Sequence, residues 1–147
     1  MDIKEALQDV QTIKSVAAGL TRKRDGIYVI LTVIYQVAHK WLKPRMSAEL
    51  RDAIADHEKI RIDHRTNKNI FRFLVEVASP LDIKQRSRYT NALRYAWLRH
   101  CHLEGLTEFI KRKGGIEECA KKYIAHKKEV RFKRCTRKSI LPRTSGE

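Results

Sequence analysis

The strongest constraint on the fold is the apolar stretch from Ile27 to Leu42, which is followed closely by Pro44. Its β-branched and aromatic residues would also suit a strand, but its length and spacing favour a helix. The residues that return on one face are Ile27, Ile30, Ile34, Val37, Ala38 and Trp41. Further apolar residues flank this face, so we expect a helix that is central in a bundle or buried at an oligomer interface.

Helical spacing recurs along most of the chain. The remaining predicted helices lie near residues 2–22, 47–57, 68–78, 85–104, 107–113 and 116–125. The sequence therefore predicts an all-α fold, a compact bundle of about six helices with a basic, partly disordered C-terminal extension. We divide it into a helical domain, residues 1–125, and a basic tail, residues 126–147.

The apolar seams of the first two helices leave two alternatives open. Residues 1–45 form either a helical hairpin within one chain or a dimerisation element. A homodimer through these helices would present two basic helices at a fixed spacing, as dimeric DNA-binding proteins do. The rest of the domain, residues 46–125, has a helix-turn-helix-like arrangement around residues 79–82.

Charge is the clearest indication of function. The 147 residues include 32 Lys and Arg against 17 Asp and Glu, which gives a net charge of +15. Residues 81–147 carry eleven of these fifteen net charges, whereas an even solubilising coat would spread them. Such a localised excess predicts a polyanionic partner, with nucleic acid favoured over an acidic protein or an anionic membrane.

The predicted helix 85–104 is the candidate for reading a base sequence. In helix-turn-helix proteins the N-terminal part of the second helix enters the major groove, where Arg can bind guanine and Asn can bind adenine. The candidate contacts are Arg86, Arg88, Asn91, Arg94 and Arg99. We expect Tyr95 on the same polar face. The alternative is a core helix with a solvated basic face.

The basic tail is the candidate for holding the phosphate backbone. Its lysines and arginines can neutralise phosphates and release counterions, and Phe132 can stack on a base or pack. The candidate residues are Lys121, Lys122, Lys127, Lys128, Arg131, Lys133, Arg134, Arg137 and Lys138. Such contacts give affinity without sequence specificity, and the alternative is a solubilising tail.

Two groups of residues resemble catalytic or metal sites only superficially. Asp56, His57, Glu58, Asp63 and His64 collect acids and bases in one loop, but without the spacing of a known metal-binding motif. The run His100-Cys101-His102 could suggest zinc, although adjacent residues on a helix point about 100° apart and cannot easily share an ion. We therefore predict no enzyme activity, no metal and no cofactor.

The sequence also predicts the cellular environment. The charged start MDIKE is unlike a secretory signal, and the longest apolar run is too short to cross a bilayer. Three widely spaced cysteines suit reduced thiols. We expect a cytoplasmic protein without membrane contact, located at the nucleoid in a bacterium or in the nucleus of a eukaryote.

These observations predict a non-enzymatic nucleic-acid-binding protein. DNA is favoured over RNA, and the role would be that of a small transcriptional regulator or an accessory factor of DNA maintenance. Two alternatives remain open: an RNA-binding or ribonucleoprotein module, and an adaptor or inhibitor that docks on an acidic protein.

Overall fold

The computed structural model describes residues 2–20, 26–43, 48–60, 69–78 and 83–140. Every regular element in these ranges is helical, which confirms the predicted all-α fold. The helices are α1 (Ile3–Leu20), α2 (Gly26–Leu42), α3 (Ala48–Glu58), α4 (Ile70–Val77), α5 (Ile83–Leu98), α6 (Leu106–Arg112) and α7 (Ile116–Ile140), with a 3-10 turn at Leu103–Gly105. None of these helices is long and apolar enough to cross a membrane.

Helix α2 is the centre of the bundle, as its wide apolar sector predicted. Its buried residues contact α1, α4, α5 and α6. Helix α1 begins at a capped end, where Asp2 Oδ1 accepts the Glu5 N–H at 2.8 Å. The α1 seam, with Val10 and Ile13 fully buried, packs against α2 of the same chain. The hairpin alternative therefore accounts for these seams without a second copy.

Polar pairs at the rim fix the first three helices to one another. Asp9 of α1 accepts hydrogen bonds from Lys40 Nζ at 3.1 Å and from the buried Trp41 Nε1 at 3.0 Å. Lys14 donates to Glu58 at 2.6 Å and so joins α1 to α3. These contacts set the register of the apolar faces that they border.

Helix α4 begins at a side-chain cap. The N-cap is Asn69, whose side chain accepts the Phe71 N–H at 3.1 Å and the Arg72 N–H at 3.4 Å. The cap fixes a short helix that is buried along most of its length.

Helix α5 ends earlier than predicted, at Leu98 instead of Glu104, because the backbone turns left-handed at His100, φ 54°. The His100 N–H bonds to the Trp97 carbonyl at 3.1 Å, and the Cys101 N–H bonds to the Ala96 carbonyl at 3.0 Å. This pair of bonds is a Schellman motif. Glycine usually occupies the left-handed position, so the absence of a glycine here hides the helix end from sequence-based prediction.

Helices α5 and α7 form the most extensive contact in the described chain. Near the C-terminal end of α5, Tyr95 packs on Phe109 of α6 with ring centroids 5.9 Å apart. The next residue, Ile110, offers its carbonyl to the Sγ of Cys119, in the first turn of α7, at 4.0 Å. The end of α5 and the start of α7 thus lie together. The two helices run antiparallel, and α7 continues toward the N-terminal end of α5.

The structure differs from the prediction at the proposed tail. Helix α7 extends to Ile140, so residues 126–140 continue the last helix of the domain. Side chains are described to Cys135, and those from 131 to 135 are all exposed. Residues 141–147, predicted to be disordered, lie outside the described residues.

Candidate nucleic-acid interface

Helix α7 carries the largest group of cations in the protein. Between Lys121 and Lys138 the sequence contains nine Lys and Arg residues and one carboxylate, Glu129. In the first half, the residues that face the bundle are Cys119, Ala120 and Tyr123, all buried. At helical spacing the same stripe continues through 127, 130, 134 and 137, where three of the four residues are cationic. The helix therefore changes from a packed element to a charged one along its length.

Most of the predicted tail cations lie at the surface. Lys128, Arg131 and Arg134 are exposed and, within the described part of the chain, form no ion pair with a carboxylate. Lys121 lies 3.6 Å from Glu118, and Lys133 lies 3.3 Å from Glu129. Exposed pairs of this kind contribute little and leave the cation accessible to a phosphate.

Four predicted residues of α7 differ from these exposed cations in their contacts or in what is described of them. Lys122 Nζ donates to the Lys113 carbonyl at 3.1 Å, where it satisfies a free carbonyl at the end of α6. Lys127 Nζ lies 5.9 Å from the centroid of the Tyr123 ring. Arg137 and Lys138 lie within the helix, but their side chains are outside the described residues. For Arg137 and Lys138, the position on the helix is the only support for the predicted contact to nucleic acid.

The five candidate residues at α5 do not share one open face. Arg88 is exposed and Asn91, three residues later, is half-buried on the same side. Arg86 is half-buried on another side, and its Nε has no hydrogen-bond partner among the described residues. Arg94 lies over Tyr123 of α7, and Arg99, past the helix end, lies 5.9 Å from the Tyr95 ring. Only Arg88, Asn91 and Arg99 therefore approach the predicted arrangement.

The prediction that Tyr95 lies on the polar face is wrong. Tyr95 is 6% exposed, because α6 covers that side of α5 through Phe109. Thr90, in the predicted reading segment, is 4% exposed. Neighbouring helices thus cover the side of α5 that carries Thr90 and Tyr95. The turn 79–82, on which the helix-turn-helix prediction depended, lies outside the described residues.

Additional cations were missed from the sequence. Lys111 lies over the Tyr28 ring at 5.0 Å, and Lys113 lies 5.9 Å from the Phe109 ring centroid. Together with Arg112 they form a basic run at the end of α6, close to the start of α7. The run 111–113 is visible in the sequence, but it was not among the predicted contacts.

Lysines in the first half of the chain are paired with carboxylates. Lys14 is paired with Glu58, and Lys40 with Glu5 and Asp9. Hydrogen bonds to Glu5 and Asp9 raise the pKa of Lys40. The positive charge is thus partly neutralised on α1–α3 and concentrated on α5–α7. This division follows the uneven charge distribution of the sequence.

The predicted acid–base loop is only partly within the described residues, because Asp63 and His64 lie outside them. Burial alone would raise the pKa of Glu58, but hydrogen bonds from Lys14 and His57 outweigh it and lower that pKa. Glu58 is thus a charged anchor between α1 and α3. Within the described ranges, no three His, Cys, Asp or Glu residues are placed to hold a metal ion.

The three cysteines are free thiols. Burial raises the pKa of both Cys101 and Cys119, although nearby cations (Arg112 at Cys101, Lys122 and Lys113 at Cys119) oppose it. A raised pKa keeps a thiol protonated near neutral pH and weakens it as a nucleophile. These two cysteines therefore pack as small apolar side chains.

Comparison with known proteins adds no family to this description: no protein-family model, no curated protein and no solved structure matches the chain.

Proposed function

We propose that this protein is a non-enzymatic nucleic-acid-binding protein, with DNA as the favoured partner. The observation that carries the proposal is the second half of α7, where exposed cations follow one another with one carboxylate among them. Folded proteins rarely concentrate like charges on one helix without a polyanion to bind. A small transcriptional regulator or an accessory factor of DNA maintenance fits a protein of this size.

The dimensions of α7 suit a duplex. The second half of this 25-residue helix spans about 20 Å at a rise of 1.5 Å per residue, which is roughly half a turn of B-DNA. A single helix also fits the width of the major groove. Lys128, Arg131 and Arg134 recur every three residues on the exposed part of α7, where they can follow a phosphate backbone. Phe132, 72% exposed, lies among them and offers a ring for stacking.

Sequence preference, where present, would come from α5. Arg88 and Asn91 are two of the candidate residues, and they share an accessible side of the helix. Changing both to Ala should relax base preference and leave affinity for unrelated duplexes almost unchanged. Each lost base contact should cost about 1–3 kcal/mol at the preferred site. An equal loss on all sequences would contradict this role.

The proposal is tested by the salt dependence of binding to duplex DNA. Arg131→Gln/Arg134→Gln removes two phosphate contacts and should lower the log–log salt slope by about two units. The matched control is Lys4→Gln/Lys43→Gln, which changes the net charge equally at two exposed residues of α1 and the α2 end. The control should keep the wild-type slope. Equal slopes for the two variants would show that only the overall charge matters and would contradict an interface on α7.

A competition experiment identifies the kind of polymer that the protein binds. Duplex DNA, duplex RNA and heparin are compared at matched charge and ionic strength. We expect DNA to compete most effectively. Tighter binding to RNA would identify the partner as RNA. Equal competition by heparin would show that the cations of the protein bind any polyanion. Substitutions are preferred to deletion of residues 126–147, because α7 packs along α5 and its removal would disturb the bundle.

A further inference from the structure

A cleft opens where the end of α5 meets α2, at the opposite end of the α5–α7 pair from the exposed cations of α7. We call it the histidine cleft. Its walls are Tyr35 and His39 of α2, Trp97 of α5 and residues 100–103, and its volume is about 380 Å³. This lies within the range of small-molecule sites, about 300–1,000 Å³. Nothing in the proposed interface on α7 uses it.

The wall of the cleft is aromatic. Trp97 is half-buried, with its ring centroid 6.0 Å from that of Tyr35 and 5.6 Å from that of His39. The Tyr35 hydroxyl is already occupied, since it donates to the Cys101 carbonyl at 2.8 Å. The groups left for a ligand are therefore the indole of Trp97 and the imidazoles of His39, His100 and His102. Indole and imidazole rings are the platforms on which unpaired bases stack in proteins.

His100 is held in an unfavourable backbone conformation at the edge of this cleft. Its φ of 54° is left-handed, and glycine would adopt it more easily. The corresponding position at the end of α6 is glycine, Gly114. Lys59 has the same conformation at the end of α3, so the left-handed turn alone indicates no use. What distinguishes His100 is that its turn places it in the wall of the cleft.

The electrostatics of the cleft favour an anion. Its lining contains no carboxylate among the described residues. Arg112 is close enough to lower the pKa of Cys101 in opposition to burial, and Arg99 is exposed beside His100. The imidazoles and the thiol are not placed as a metal site. A ligand that combines a flat ring with a negative charge satisfies both the aromatic wall and the neighbouring arginines.

We propose that the histidine cleft binds one unpaired nucleotide, with the base against Trp97 and the imidazoles and the phosphate toward Arg99 and Arg112. This inference rests on the proposed function and extends it. The nucleotide has two sources: an unpaired residue of a nucleic acid that also contacts α7, or a free mononucleotide. The start of α7 lies beside this end of α5, so a strand that leaves the cleft has to run along α7 to reach its exposed cations.

The deciding variant is His100→Gly. It removes the imidazole and at the same time relieves the left-handed strain, so the variant should unfold at a slightly higher temperature than the wild type. A loss of binding in this variant therefore cannot come from a damaged fold. The matched control is Lys59→Gly, since Lys59 has φ 55° at the end of α3, where it closes the same kind of helix end away from the cleft.

Binding is followed by tryptophan fluorescence. Of the two tryptophans, Trp41 is 0% exposed, so quenching by a ligand reports on Trp97. The probes are a duplex with a one-nucleotide bulge, the same duplex fully paired, and AMP alone. We expect the bulged duplex to quench Trp97 and to bind about tenfold more tightly than the paired one. His100→Gly should abolish both effects, and Lys59→Gly should keep them.

The other outcomes are equally informative. If AMP quenches as well as the bulged duplex and the bulge adds no affinity, the cleft binds a free nucleotide. If no polymer binds in a salt-dependent manner but His100-dependent quenching by AMP persists, the proposed function fails and the cleft assignment stands. Absence of quenching with every probe, or quenching that His100→Gly leaves unchanged, would overturn the inference.

Discussion

The guanidinium of Arg94 lies over the ring of Tyr123, with 4.9 Å between Cζ and the ring centroid. This contact joins α5 to α7 near the middle of their shared interface. It also changes the interpretation of Arg94, which the sequence suggested as a contact to nucleic acid. An arginine that packs on a mostly buried tyrosine is part of the structure that supports the interface.

Replacement of Arg94 by Ala should therefore lower stability more than affinity. Loss of a cation–π contact of this kind costs about 0.5–2 kcal/mol. Urea unfolding measures this loss, and duplex binding at a temperature where the variant is folded should remain close to wild type. The matched comparison is Arg88→Ala, whose side chain is exposed on the same helix and should have little effect on unfolding. A large loss of affinity in Arg94→Ala, measured where the variant is fully folded, would show that Arg94 contacts the nucleic acid.

Asn69→Ala should destabilise the protein by about 1 kcal/mol, because two amide groups at the start of α4 lose their acceptor. Asn69→Asp keeps an acceptor oxygen at the same position and should be nearly neutral. Chemical denaturation of the two variants gives the comparison. Equal destabilisation by Ala and Asp would show that the amide NH₂ of Asn69, and not its oxygen, is needed.

The two glycines after α6 should respond differently to alanine. Gly114 and Gly115 have φ of 105° and 102°, so both substitutions introduce backbone strain, about 1–3 kcal/mol. A Cβ on Gly114 would also lie 3.0 Å from Glu118 Cγ and 3.1 Å from its Cβ, whereas a Cβ on Gly115 meets nothing within 4 Å. Gly114→Ala should therefore have the lower melting temperature. Equal melting temperatures would show that backbone strain alone decides.

The protein should lose stability at alkaline pH. Burial, and then the Cys101 charge, raise the pKa of Tyr35 from 10.0 to about 12, so the folded chain keeps a proton that the unfolded chain releases. The contribution of the protonated Tyr35 to the free energy of unfolding is complete below pH 10. It declines as the pH approaches 12, by about 1.4 kcal/mol per pH unit at most. The raised pKa values of Cys101, Cys119 and Tyr123 act in the same direction.

Urea unfolding over a pH series, with Tyr35→Phe beside the wild type, isolates the tyrosine. At neutral pH the variant should be less stable by about 1 kcal/mol, because the Cys101 carbonyl loses its hydrogen bond. Above pH 10 the two curves should converge, since the variant has no phenol to ionise. Parallel curves would mean that the Tyr35 hydroxyl does not titrate with folding.

The helices and the core were predictable because both follow from local spacing. The wide apolar sector of Ile27–Leu42 indicated the central helix, and Gly114-Gly115 indicated the turn before α7. The helix end at His100 was not predictable, since it depends on a residue that seldom adopts a left-handed conformation. The length of α7 was missed for another reason. Beyond Ala125 it has no apolar stripe, and apolar periodicity is the main sign of a helix in a sequence.

The candidate site was predictable in composition but not in arrangement. The excess of cations on α7 is a property of the sequence alone. The covering of Tyr95 by Phe109 and the position of Arg94 over Tyr123 depend on how α6 and α7 return to α5. The histidine cleft joins residues 35 and 39 to residues 97–103, and no local pattern links such distant segments.

The bundle-facing stripe of α7 changes from apolar to basic along the helix, so its two halves differ in how their stability depends on ionic strength. Its first half is held by packing and should be indifferent to ionic strength. In its second half, repulsion between neighbouring cations opposes the helix, and added salt screens that repulsion. In the free protein, helicity should thus rise with salt, although the same salt weakens attachment to a polyanion. A bound phosphate backbone would provide the screening itself, so the last turns would be most regular either in concentrated salt or on the ligand.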